Sequence, residues 1–510
     1  MSSARLANFW ADFSRIDIGR TIRREADFEE KPRKVRPIGA IQERDYTMHL
    51  NFRPAWAATA VAGLAFLALV VASGCINGES ITTSAHRDPG VADDPVGGAS
   101  ASSTHTGVVA IPSAGDVLIA GGSSASNRTL ATAEFFDPST GQFSATGHAF
   151  ASRAGAVAAP ISDSKVLLDG GFSGGATIKQ FALNLNGKVL SSSEIFDTTT
   201  GAFSLAAMMA TPRMAFTATP LGNGKVLVAG GLDNSGNVLD NAEVYDSGER
   251  KFIAANNTMS DRRVFHTATL LPSGKVLLTG GAANLSGDTT NSADLYDPAS
   301  NSFTPTTSPM DHQRAAHSAT LLPSGPLAGK VLITGGGGGS SVFFKDSSAE
   351  IYDPASQQFL LLASFMNEAR ALHTATLLDD GNVLLAGGFN GSVAISAGVL
   401  SGASGSISNS AEIFDPNTLE FSCVGGFNGD TLRCNNSMSA ARAGHTATML
   451  SSGPTPHRVL IAGGIGALDP NAHGVALSSA ELFNPAGAGS FTPAGPMSSA
   501  RAFQTATLLR

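Results

Sequence analysis

Tryptophan stands only at positions 10 and 56 of this 510-residue chain, and tyrosine only at 46, 245, 296 and 352. A core must therefore come from Leu, Val, Ile, Ala and Phe, and the chain is a poor platform for stacking sugar rings. Charged residues make up 15%, against about 25% in ordinary soluble proteins. The formal net charge of −8 argues against a nucleic-acid partner, because phosphate binding needs clustered Lys and Arg. Only three cysteines occur, Cys75, Cys423 and Cys434, and none forms a Cys-x-x-Cys pair. His-Glu-x-x-His and P-loop patterns are absent too, so no catalytic residue, metal ligand or cofactor site announces itself.

What the chain does have begins with a shift in character near its start. Residues 1–47 carry ten of the 33 Lys/Arg and eight of the 41 Asp/Glu. From Met48 the chain reads MHLNFRPAWAATAVAGLAFLALVVASGC, a short basic lead, an apolar run and small residues ending at Cys75. This is the order of a secretory signal, and the terminal Cys makes 48–75 resemble a bacterial lipoprotein signal with Cys75 as the lipidated residue. Ala72 departs from the Leu usual three residues before that Cys. A plain transmembrane anchor is the competing reading, since some twenty apolar residues span a bilayer. Met48 reads as the true start and 1–47 as an extension; a cytoplasmic tail is the alternative. From Cys75 onward 22 Lys/Arg face 33 Asp/Glu, a net charge of −11. Residues 76–103 read as a flexible tether. The expected location is the bacterial cell envelope, periplasmic side or cell surface, with membrane contact only through the anchor.

Glycine is abundant, at 57 residues, and much of it falls in a repeat. The stretch HTATLLPSGKVLLTGG at 266–281 returns with small changes, and its double glycine recurs at 121, 170, 230, 280, 335, 387 and 463. Each copy continues into a segment like Ala-Asp-Leu-Tyr-Asp-Pro at 293–298 and then a Phe. Paired aromatics follow: Phe136/Phe143, Phe196/Phe203, Tyr245/Phe252, Tyr296/Phe303, Tyr352/Phe359, Phe414/Phe421 and Phe483/Phe491. A period near fifty residues signals stacked units. Pro-Ser-Gly and Asp-Pro mark turns, and the runs between them read as four short strands apolar on both faces. Such sheets must cover one another. Seven copies predict an all-β, seven-bladed propeller over 104–510.

Four hydrophobic residues, a double glycine and two spaced aromatics resemble the kelch-repeat family, here over seven copies, with Phe where the family often has Trp. That family includes galactose oxidase, whose copper is held by tyrosines and histidines. Here Tyr245, Tyr296 and Tyr352 all occupy the repeated core position, and no separate C-terminal domain remains to add a ligand. The Ser-x-Asp-x-Gly-x-x-Trp signature of sialidase-type propellers also fails for want of Trp. A final segment, 501–510, spells an eighth first strand with no double glycine after it. It is expected to pair with 116–122 and close the circle; 104–111 competes for that place, and a truncated eighth blade is the alternative.

Repeated polar residues read as structural. His105, His266, His317, His373 and His445 share a position that is Ala156, Phe216 and Gln504 elsewhere, which suits packing between blades better than a metal. Arg153, Arg213, Arg263, Arg314, Arg370, Arg442 and Arg501 recur in step with Glu134, Glu194, Glu243, Asp294, Glu350, Glu412 and Glu481, which predicts buried ion pairs. Cys423 and Cys434 read either as a loop-closing disulfide or as two free thiols.

Connections after the second and fourth strands leave one side of the ring, and the long insertions lie there, at 172–190, 232–240, 337–347, 389–408, 422–437 and 465–477. Long loops on a rigid scaffold carry binding. Phe172, Lys179, Phe181, Phe343, Phe344, Lys345, Phe389 and Phe427 are the candidate contacts on that face. The competing reading is that these rings pack the loops down. The expected protein is a monomeric, non-enzymatic scaffold for a protein partner, with carbohydrate a weaker candidate ligand. The alternative is a carbohydrate-active or galactose-oxidase-like enzyme with an unrecognised site.

Overall fold

The computed structural model describes residues 110–510, apart from 180–181, 286, 339–341, 345, 397–398, 428–433, 436, 452–456 and 467–474. The extension, the signal with Cys75, the tether, His105, Phe181 and Lys345 lie outside the described residues, and for Lys179, Phe343 and Phe344 only the backbone is described.

Seven four-stranded antiparallel sheets make the ring. Blade 4 shows the unit: Thr267–Leu270, Val276–Thr279, Ala293–Asp297 and Ser302–Pro305 pair in that order. All four residues of Val276–Thr279 are buried, as are those of the equivalent strands Val331–Thr334, Val383–Ala386 and Val459–Ala462. Burial on both faces explains why these runs lack the apolar–polar alternation of a one-sided sheet. The paired aromatics face each other across the third and fourth strands of every blade, with ring centroids 4.8–5.1 Å apart and tilted by 46–54°. Tilted contacts at this distance are favourable beyond their area alone. The turn between those strands is set by an Asp or Asn whose Oδ1 accepts the amide two residues on, at 2.7–3.1 Å in all seven blades.

The circle closes as the final segment suggests. Thr505–Leu508 is the first strand of blade 1 and pairs antiparallel with Val117–Ala120, Leu508 opposite Val117 and Thr505 opposite Ala120. The Gly115 amide donates to the Leu509 carbonyl at 2.9 Å, so chain entry and chain end meet at the short-turn end of that blade. The seven first strands neighbour one another in an unbroken round.

Two insertions that read as loops are hairpins instead. Phe172–Lys179 pairs with Ala182–Val189, and Phe389–Ser396 pairs with Val399–Ile407, with Val342–Phe344 added alongside as a third strand. The second hairpin is rich in Gly and Ser, and both hairpins have buried bases, Phe172 opposite Val189 and Phe389 opposite Ile407, that set their register. Strands Ala182–Val189 and Val399–Ile407 approach each other although blades 2 and 6 are not neighbours, so these hairpins reach across the face.

The double glycines are joints between blades. The first of each pair has φ between +57° and +66° and the second between +88° and +104°. The second glycine's amide donates to the carbonyl of the Arg entering the next blade at 2.7–2.8 Å. A Cβ on the first glycine would stand 2.4–2.6 Å from that same carbonyl. Gly280→Ala is therefore expected to destabilise by on the order of 3 kcal/mol in urea unfolding. Gly274→Ala is the control: it also has positive φ but meets nothing within 4 Å, and should lose only about 1 kcal/mol. Equal losses would deny the joint its role.

Candidate functional site

Every first strand is entered through a buried Arg, a small or apolar residue, one residue in left-handed conformation, and then the histidine position. The arginines have 0% exposure, and each meets its acid at 2.5–3.1 Å: Arg153–Glu194, Arg213–Glu243, Arg263–Asp294, Arg314–Glu350, Arg370–Glu412, Arg442–Glu481 and Arg501–Glu134. The guanidinium Nη1 also donates to the first glycine's carbonyl, as Arg314 does to Gly335 at 2.9 Å. The acid in turn accepts the amides of the incoming connection, as Glu350 does from Asp311 and His312. A charge buried this deeply is tolerable only beside its counter-charge, and Nε of Arg153, Arg213, Arg263 and Arg442 still goes without a hydrogen bond.

The left-handed residue is the feature that sequence reasoning missed. Gly155, Ala215, Phe265, Ala316, Leu372, Gly444 and Phe503 all have φ between +52° and +60°. Five of the seven carry side chains there, at roughly 1–2 kcal/mol each. A closed circuit of backbone hydrogen bonds holds them. Each amide donates to the carbonyl of its counterpart in the preceding blade, from Ala215 to Gly155 and onward to Phe503, and the Gly155 amide completes the round on the Phe503 carbonyl, at 2.9–3.3 Å throughout. The sequence carries no signal for it, because glycine occupies the position in only two of the seven copies.

Inside the circuit lies a cavity of about 330 Å³ to which all seven blades contribute, including every residue of the circuit. His266, His317, His373, His445 and Gln504 line it as well. These side chains bridge neighbouring blades as well as lining the cavity. Nε2 of His266 shares a hydrogen bond with Thr217 Oγ1 at 2.9 Å, and His317, His373 and His445 do the same with Thr267, Ser318 and Thr374 at 3.0 Å. In blade 1, Gln504 Nε2 donates to the Ala462 carbonyl at 2.8 Å. Burial, reinforced by the adjacent arginine, pushes His266, His373 and His445 down to about 3 and His317 well below its usual value. These rings are neutral near pH 7. Among the described residues no three His, Cys, Asp or Glu are arranged to hold a metal ion.

The candidate contacts on the long-connection face separate. Phe172 and Phe389 are 3% and 1% exposed and are not presented to a partner. Each follows a double glycine and is fastened by a backbone bridge, to Ala154 and Ala371, which sets its ring inward; Phe172 lines the cavity. Phe427 is 51% exposed. Its backbone bridges to Cys434, which forms a disulfide with Cys423. Lys179 ends the first hairpin strand, and Phe343 and Phe344 lie in the added third strand.

No protein-family model matches the chain, and no curated protein matches it either. Among solved structures it is similar to that of YjhT, at 13% sequence identity and a TM-score of 0.45, over 67% of this chain and 97% of that one. The blades themselves establish the architecture: an all-β, seven-bladed propeller of four-stranded sheets.

Proposed function

We propose that this protein is a non-enzymatic binding scaffold of kelch type, held in the bacterial envelope through Cys75, that presents its long-connection face to a protein partner. One observation carries the reading. The repeated Arg and acid of all seven blades are buried in mutual pairs, whereas the blades differ most in the connections that leave this face. Rigid blades with divergent loops are the usual division between support and recognition. Phe427 is an exposed aromatic of that face, and its backbone bridges to the disulfide-bonded Cys434.

Phe427→Asp is expected to weaken capture of the partner from envelope extracts at least tenfold while leaving the urea midpoint unchanged; undiminished capture removes this loop from the interface. Cys75→Ser is expected to move the protein from the membrane fraction to the soluble fraction, and retention in membranes would count against lipid anchoring.

A further inference from the structure

We propose that the axial cavity is a binding site for an uncharged, predominantly apolar small molecule. The proposal concerns a different site from the partner loop and stands whether or not Phe427 meets a protein.

Size and lining point to the ligand's class. About 330 Å³ falls within the range of small-molecule sites and corresponds to some ten waters at ~30 Å³ each. Phe172, Met214, Phe216, Phe265, Leu372 and Phe503 dominate the wall, with alanines and glycines between them. Waters against such a wall find few partners, and an apolar ligand that displaces them gains by it.

The polar lining side chains are partnered through one nitrogen each, while the histidine Nδ1 atoms and Gln504 Oε1 are buried without a hydrogen bond. The histidine Nε2 atoms bond to Ser or Thr hydroxyls and Gln504 to a carbonyl. The arginines behind the wall are each neutralised by a carboxylate. A charged ligand would lose its hydration and find no counter-charge. Backbone strain adds an independent observation. Gly155 and Gly444 show that glycine fits the circuit, yet Phe265, Leu372 and Phe503 hold bulky apolar groups there in left-handed conformation. Strain kept at a cavity wall points to use of the side chains it presents.

N-phenyl-1-naphthylamine, uncharged and fluorescent in apolar surroundings, tests this on the full chain against its sulfonated analogue, 1-anilinonaphthalene-8-sulfonate. The expected result is saturable one-to-one binding of the uncharged probe and at least tenfold weaker binding of the anion. Ala215→Phe with Ala316→Phe places rings where Phe265 and Phe503 already show that rings are accepted, and should reduce affinity for the uncharged probe at least tenfold at an unchanged urea midpoint. An azide of the same skeleton, photolysed on the unsubstituted protein, should label peptides containing Phe265 or Leu372, a readout that does not depend on the variant folding. Equal affinity for the two probes, undiminished binding by the folded double variant, or labelling confined to other peptides would each overturn the proposal.

Discussion

Arg501→Ala is expected to lower the free energy of unfolding by about 3–5 kcal/mol, because it strands Glu134 in the interior without its counter-charge. Arg501 Nε donates to Glu134 Oε1 at 2.9 Å, Nη1 to the carbonyls of Gly121 and Thr132 at 2.8 and 2.9 Å, and Nη2 to Thr132 Oγ1 at 2.9 Å. Six other arginines make the same clamp within continuous chain. This one joins residues 367 apart in sequence, so it locks the circle as well as a blade. Removing 501–510 goes further, taking the innermost strand from blade 1 and exposing its second strand. That truncated chain is expected to show no cooperative urea transition and an expanded hydrodynamic radius. A transition at the original midpoint would mean that the circle holds without its clasp. Arg501→Met combined with Glu134→Met should recover part of the single-variant loss, since an apolar pair carries no stranded charge.

Acid should unfold the protein well above the range in which exposed carboxylates titrate. His266, His373 and His445 have folded values near 3, and His317 is also strongly lowered, against about 6.5 for the unfolded chain. Between those values the unfolded state binds protons that the native state refuses, so stability falls as pH drops below about 6.5. Each histidine contributes up to about 1.4 kcal/mol per pH unit. Asp169 works in the opposite sense. Burial raises its carboxyl to about 7, despite a hydrogen bond from Ser193 at 2.5 Å, so the native state takes up a proton there first and offsets one histidine. The net slope is about 4 kcal/mol per pH unit. A domain of ordinary stability would be exhausted within roughly one to three units. Changing the four histidines to Gln, the residue that blade 1 uses at this position, should flatten urea midpoints between pH 6 and 4. Persistence of the full slope would place the acid sensitivity elsewhere.

The repeat made the blades legible because each blade solves the same packing problem with the same residues in the same register. Double glycine, paired aromatics and the Arg–acid couple are each required seven times, so chance variation cannot hide them. Ring closure was legible for a related reason: residues 501–510 spell an inner strand that lacks the rest of its blade. The cavity was not legible. Its floor is a backbone conformation, and left-handed φ leaves no glycine signature where Ala215, Phe265, Ala316, Leu372 and Phe503 adopt it. Nor could sequence tell which way Phe172 and Phe389 turn, because the bridges that set their rings inward pair residues 18 apart, Ala154 with Phe172 and Ala371 with Phe389. The same limit concealed the hairpins, whose strands are specified by where they begin more than by what they contain.

The meeting of chain entry and chain end at Gly115 and Leu509 gives the molecule a polarity. Both lie at the end of blade 1 opposite to the cavity and the long connections. Entry to the ring and its closing strand thus share one side, which leaves the hairpins and the axial mouth clear of this junction.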